Sequence, residues 1–293
     1  MKTLIVITGP TGVGKTDIAI NIAKRLSAEI ISADSRQLYR EIPIGTAAPT
    51  VEEQAKVCHH FVGTLNLDQY YSAAQFETDV LKLLPSLFEK SDYAILCGGS
   101  MLYIDAICRG IDEIPTISDE IRNSVIEKYK NEGIESICAE LQRLDPDYYA
   151  IVDHSNHKRI IHAIEICQQA GVPYTTLRTG KHKQRPFRII KLGINLPRPQ
   201  LFERINNRVE KMLENGMIEE AKQVYHLRHL NALNTVGYKE LFAYFDGTMD
   251  YTTAKERIKK NTRVYAKKQL TWYAKDNEIA WLTPQEASAW TPL

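Results

Sequence analysis

The sequence predicts an α/β protein, a parallel sheet flanked by helices and interrupted by a helical insertion domain. Three observations predict it. Short apolar, β-branched runs alternate with amphipathic helical patterns in the first third of the chain, the texture of strands buried on both faces. A glycine-rich stretch, GPTGVGKT at 9–16, follows the first such run directly. From about residue 113 helical periodicity takes over, until RIIKLGINL at 188–196 resumes the strand pattern after Pro186. The core is expected over 1–112 and 186–293, and the helical insertion over 113–185.

In chain order, TLIVIT (3–8) reads as a strand, and the loop after it opens a helix at about Lys15 with Ile18, Ile22 and Leu26 on one face. EIISAD (29–34) is a second strand that ends on an acid, Asp34. Ser72-Ala-Ala-Gln75 matches a capping box that opens a helix to about Lys90, disturbed at Pro85. YAILCGGS (93–100) is a further strand ending in a glycine turn. The insertion has helical patterns at 119–131, 134–143 and 156–170. Helices near 199–214, 217–229, 238–246 and 253–275 follow, then the short run IAWLT at 279–283.

With 293 residues, 44% hydrophobic and 25% charged, the composition is that of a globular chain of one or two domains. Cys58, Cys97, Cys108, Cys138 and Cys167 make no C-x-x-C pair and suggest reduced thiols. Cys58-His59-His60 lacks a second ligand pair at zinc spacing, so no metal site is expected there. No apolar run approaches the ~20 residues that cross a bilayer. A cleaved leader would remove the strand the loop needs, so a cytoplasmic protein without membrane association is expected. The net charge of +1 hides segregation. Residues 178–191 carry Arg178, Lys181, Lys183, Arg185, Arg188 and Lys191 and no acid, and in 251–275 eight Lys or Arg face only Glu256. Local charge of this kind is an electrostatic footprint for a polyanion.

Gly9, Pro10, Thr11, Gly12, Val13, Gly14, Lys15 and Thr16 match the phosphate-loop pattern in full, between a strand and a helix. The fold expected is thus a P-loop NTPase-like core. Glycines let successive N–H groups turn around a phosphate, and the helix N-terminus adds its positive dipole end. Lys15 supplies a full charge, and the Thr16 hydroxyl is placed to ligate Mg²⁺. The loop does not reveal its ligand. No N-K-x-D guanine reader is present, but a nucleotide-dependent small-molecule kinase fits the loop alone. Asp34 could orient Mg²⁺, deprotonate an acceptor, or merely cap the turn after its strand.

Along 253–275, Lys255, Lys259, Arg263 and Lys267 recur at i,i+4 with Lys260 and Lys268 beside them. Like charges at this spacing cost an isolated helix roughly 0.2–0.5 kcal/mol per pair, so a polyanion partner explains the row better than an ordinary solvated face. Ile258, Tyr265 and Trp272 lie on the other stripe and are expected in the core.

GPTGVGKT, ISADSRQLYREIPIGTAAP (31–49), YSAAQF (71–76) and CGGSMLYIDAI (97–107) together closely resemble the tRNA dimethylallyltransferases. The likeness continues through HKRIIHAIE (157–165), RINNRVEKMLENGMIEEA (204–221), NTVGYKEL (234–241) and NTRVYAKKQLTW (261–272), in order and over nearly the whole chain. The resemblance implies transfer of a dimethylallyl group from dimethylallyl diphosphate to N6 of the adenine at tRNA position 37, beside the anticodon. It implies that the loop holds the prenyl diphosphate with Mg²⁺, that Arg208 adds charge there, and that Asp34 accepts the N6 proton. It also implies tRNA contacts from Asp34, Ser35, Arg36, Gln37, Ser100, Arg122, Lys158, Arg159, Ile160, Ile161 and His162. The basic helix adds Lys259, Arg263 and Lys267 to the tRNA-binding set. Ser100, Ala48 and His162 stand where the family more often has threonine, lysine and arginine. The partners expected are the anticodon stem-loop of tRNA and dimethylallyl diphosphate, with the chain acting as a monomer. A non-catalytic RNA-binding protein is the remaining alternative.

Overall fold

A computed structural model describes residues 1–292. The chain forms two compact units: one runs to Cys108 and resumes at Gln184, and the other is Arg109–Lys183.

The first unit begins with β1 (Thr3–Thr8), α1 (Lys15–Leu26), β2 (Ile30–Ala33), α2 (Val51–Lys56), β3 (His59–His60), α3 (Ala73–Lys90), β4 (Tyr93–Gly98) and α4 (Met101–Arg109). The second holds α5 (Asp119–Leu144), α6 (Pro146–Ile151), α7 (His157–Ala170) and α8 (Tyr174–Leu177). The first then resumes with β5 (Arg188–Ile194), α9 (Arg198–Glu214), α10 (Met217–Val224), α11 (Tyr238–Phe245), α12 (Tyr251–Tyr273), β6 (Ile279–Leu282) and α13 (Pro284–Ala289).

The six strands form one sheet in the order β3-β2-β4-β1-β5-β6, and every pairing is parallel. Side chains alternate between its faces. Leu4 and Val6 join one core with Ile31, Phe76 and Leu96, whereas Ile5 and Ile7 join another with Ile18, Ile22, Ile95 and Ile194. Each such side chain contributes roughly 1.5–3 kcal/mol on burial. Because β1 lies between β4 and β5, with β2 beyond β4, the turns after β1, β2 and β4 all emerge at the C-terminal edge of the sheet. Ligands of open α/β sheets bind at that edge.

Several expected elements differ. Pro85 lies inside α3 without ending it. The missing N–H and the ring clash are offset by an inner face that buries Phe76, Val80, Leu84, Leu87 and Phe88. By contrast, the patterns at 119–131 and 134–143 are two helical segments within α5, as expected, separated at Gly133, whose φ of 82° and ψ of −173° are not helical. The helix expected at 217–229 stops at Val224 and continues as a 3₁₀ turn. Neither β3, two residues long, nor α2, six residues with no buried side chain, carries a periodicity that sequence can reveal.

The second unit has its own core of Val125, Ile137, Leu141, Ile160, Ala163 and Ile164. The buried Asp145 caps α6 by accepting from Tyr148 N, and it accepts from Thr175 N and Oγ1 as well.

Candidate active site

The loop after β1 has Gly9, Gly12 and Gly14 at φ of 137°, 85° and 99°, in which a side chain would be strained. Val13 is fully buried and anchors the loop from beneath. Lys15 folds back to donate to the carbonyls of Gly9 and Pro10, each at 2.9 Å. Arg208, from α9, donates through Nη2 to Thr11 Oγ1 at 2.6 Å, and its buried Nε has no hydrogen-bond partner.

The two cations share a cavity of about 1060 Å³ that Thr16, Asp34 and Gly99 also line. Burial lowers the Lys15 ammonium to about 8, and the neighbouring Arg208 charge pushes the same way against Cys97 and Asp34. Burial also lowers Arg208, with Asp34 opposing. The Cys97 thiol is pushed up to about 12 by its burial and stays neutral, so Asp34 is the anionic group that acts on both cations. Among the described residues, neither Lys15 nor Arg208 makes an ion pair with a carboxylate. Half-buried positive charge in this arrangement suits an anion larger than one carboxylate.

Asp34 follows β2 directly. Its Oδ1 accepts from Arg36 N at 2.9 Å and Gln37 N at 3.4 Å, an Asx turn that fixes the carboxylate. Among the described residues, Oδ2 accepts no hydrogen bond. The capping role and the chemical role raised by the sequence therefore fall on different oxygens of one group.

Ser100 accepts from Ser35 N at 2.8 Å, and its own N–H donates to Ala33 O. It thereby ties the turn after β4 to the turn that holds Asp34. The Gln37 amide donates to the carbonyls of Thr46 and Ala47, while its Oε1 accepts from Ser32. Ser35 and Arg36 are half-buried in the same turn.

Sequence reasoning missed Gln269 of α12, which is 1% exposed. Its Oε1 accepts from Thr11 N and its Nε2 donates to Gly99 O, both at 2.8 Å. A β-carbon on Gly99 would meet that amide at 2.4 Å, so a larger residue there would displace the Gln269 side chain from its two hydrogen bonds. Arg204 and Lys211 were also missed. They lie four residues before and three after Arg208 in α9 and line the same cavity, a spacing visible in the sequence as a basic stripe.

The basic row of α12 is corrected in part. Lys259 pairs with Glu210 of α9 and with Glu256, each at 2.7 Å, and Lys255 reaches Glu210 at 3.2 Å. Arg263 donates to Asn206 Oδ1 at 2.5 Å. The acids that α12 lacks come from a helix about fifty residues earlier, so Lys259 and Arg263 are packed inward. Lys267 is exposed with its ammonium 5.5 Å from the Phe202 ring, and Arg257, Lys260 and Lys268 complete the exposed basic set. Of the stripe expected in the core, Ile258 is buried, but Tyr265 lines the cavity and Trp272 is exposed and donates to Asp105.

The basic run 178–191 is likewise divided. Arg185 forms a buried pair with Glu77 at 2.6 Å, and Lys191 pairs with Asp276 and Glu278 at 2.7 Å. In the second unit, Lys158, Arg159 and His162 are exposed on α7, and Arg122 is half-buried on α5. Ile160 is 0% exposed in that unit's core and Ile161 packs against it, so the expected tRNA contact from the Ile160 side chain is corrected: apolar burial claims it.

A family model described as IPP transferase matches residues 37–276. The chain is 55% identical over 284 residues to tRNA dimethylallyltransferase 1 of Phocaeicola vulgatus, covering 97% of this chain and 95% of the relative. It is 54% identical over 285 residues to tRNA dimethylallyltransferase 1 of Bacteroides fragilis, covering 97% and 95%. Among solved structures, the full-length tRNA isopentenylpyrophosphate transferase of Bacillus halodurans matches with a TM-score of 0.70 and 33% identity, over 97% of this chain and 90% of that one.

Proposed function

Because this chain belongs to the IPP transferase family and so transfers a prenyl group to tRNA, we propose that its donor is dimethylallyl diphosphate and its acceptor N6 of the adenine at tRNA position 37. One observation carries the reading: two half-buried cations, Lys15 and Arg208, line the same cavity as Asp34, whose Oδ2 accepts no hydrogen bond among the described residues. Cations suit a diphosphate leaving group, and the free oxygen suits a proton acceptor.

Asp34 Oδ2 takes the N6 proton as the amine attacks the allylic carbon, a role that contributes roughly 10²–10⁴-fold in such reactions. The loop N–H groups, Lys15 and Arg208 are aimed at the charge that grows on the bridging oxygen as the C–O bond breaks. Gln269 keeps Thr11 and the Gly99 turn in register while this occurs. The target base leaves its stack to reach so recessed a cavity.

Mg²⁺ fits the oxygen donors of the site, since Thr16 and Asp34 line the cavity together. Thr16 would hold the ion, which would neutralise diphosphate charge.

Exposed Arg257, Lys260, Lys267 and Lys268 on α12, and Lys158 and Arg159 on α7, suit the tRNA backbone. The groups named all lie on one chain, which is compatible with the monomer expected from the sequence. Its five free cysteines suit a reducing cytoplasm, and no helix among the described residues is long and apolar enough to cross a membrane.

The test is incubation of the protein with unmodified tRNA, Mg²⁺ and labelled dimethylallyl diphosphate, followed by nuclease digestion and mass spectrometry. One added C₅H₈ on the adenosine at position 37 is expected; no transfer, with ATP consumed instead, overturns the reading in favour of a kinase.

A pH dependence follows as well. The diphosphate favours protonated Lys15, whose pKa in the free protein is lowered to about 8. Affinity for dimethylallyl diphosphate is therefore full below pH 8 and falls as pH rises above it. Lys15→Arg, with a pKa far above this range, should hold its affinity flat across the same window. Calorimetric titration between pH 7 and 9.5 checks both, and a flat wild-type profile refutes the assignment.

A further inference from the structure

The Cys58-His59-His60 run, which the catalytic site does not use, gains a third member from the fold. Parallel pairing of β2 with β3 sets Ile30 beside His59 and Ile31 beside His60, so Glu29, just ahead of β2, comes alongside. Strand alternation puts Cys58 and His60 on one side, while His59 turns away to bond Val57 O. His60 Nε2 lies 2.6 Å from Glu29 Oε2 and 3.7 Å from Cys58 Sγ, and all three ligand atoms fall within 4.8 Å of one another.

The geometry points to a zinc site formed by Glu29, Cys58 and His60. Zinc bonds of about 2.3 Å to sulfur and about 2.0–2.2 Å to nitrogen and oxygen, at tetrahedral angles, separate ligand atoms by about 3.3–3.6 Å. The sulfur–nitrogen distance of 3.7 Å lies within about 0.1 Å of this range, and the nitrogen–oxygen pair needs to open by about 0.7 Å. One thiolate and one carboxylate neutralise a divalent charge, with imidazole as the neutral third ligand. Lys90 donates to the other Glu29 oxygen at 2.7 Å and orients the carboxylate without occupying Oε2. Glu29 and His60 are partly exposed and Cys58 exposed, which leaves an entry path and room for a water as fourth ligand. A sulfur–nitrogen–oxygen set selects zinc over Mg²⁺, which prefers oxygen alone. Glu29 and Asp34 stand at opposite ends of β2, roughly 16 Å apart at about 3.3 Å per residue. The site thus clasps the edge strand β3 away from the transfer chemistry.

The experiment uses the full chain, stripped with a chelator and titrated with Zn²⁺ against a chromophoric competitor. Co²⁺ serves as the spectroscopic probe, and iodoacetamide labelling of Cys58, read by peptide mass spectrometry, as an independent readout. Expected are one zinc per chain, a thiolate-to-cobalt charge-transfer band, and Cys58 protected from alkylation by zinc. Cys58→Ser removes the band, and His60→Gln weakens zinc binding at least tenfold, each variant keeping the wild-type circular dichroism. Absence of stoichiometric zinc binding overturns the proposal, as does zinc binding that both variants leave intact or a Cys58 that zinc fails to protect.

Discussion

Replacement of Asp34 by asparagine is expected to lower kcat by roughly 10²–10⁴-fold while leaving tRNA affinity and folding close to wild type. The reason lies in the division between its two oxygens. Asparagine keeps Oδ1, which accepts from Arg36 N and Gln37 N, so the turn and its tie to Ser100 persist. What disappears is the oxygen that can take a proton. An exocyclic amine conjugated with a purine ring is a weak nucleophile, and it depends on losing that proton as it attacks. Single-turnover measurements with saturating tRNA and donor isolate the chemical step. A variant within a factor of three of wild type would mean that Asp34 only caps its turn.

Lys15→Ala is expected to reduce kcat/KM for the donor by about 10²–10³-fold, the scale seen when one donor to a developing anion is removed. The same substitution should leave the fold intact, since Lys15 bonds only to carbonyls of its own loop. Burial lowers its pKa, so the charged form is disfavoured in the folded state, and thermal denaturation of the variant at pH 7 should show an equal or higher midpoint. Affinity for tRNA, measured by filter binding, should not change. A parallel loss of tRNA and donor binding would show that the two ligands do not use separate groups.

The loop, the strand that precedes it and the acid closing β2 were legible because each rests on local chemistry. Glycines at fixed spacing, a run of β-branched residues and a lysine at a helix start carry their meaning within eight residues. The tertiary contacts were not legible in this way. Gln269 is 258 residues from Thr11, and nothing in KKQLTW marks its amide as the bridge between the loop and Gly99. The α12 row was misread for the same reason: Glu210 and Asn206, which engage Lys259 and Arg263, belong to another helix. Arg204 and Lys211 were within reach, because their spacing about Arg208 follows helical periodicity alone.

The sequence by itself determined that this chain is an α/β protein with a phosphate loop, a helical insertion and the ordered motifs of a prenyl-transferring family. Those properties are encoded in short-range pattern, where steric and hydrogen-bonding preferences act between near neighbours. Only the tertiary structure decided which charges are spent within the protein and which remain for ligands. Pairing of Arg185, Lys191 and Lys259 with distant acids depends on which helices and strands pack together, as does the meeting of Lys15, Arg208 and Asp34 at one sheet edge. Packing brings such groups within a few ångströms at low dielectric, where a single neighbour sets the sign of the local field.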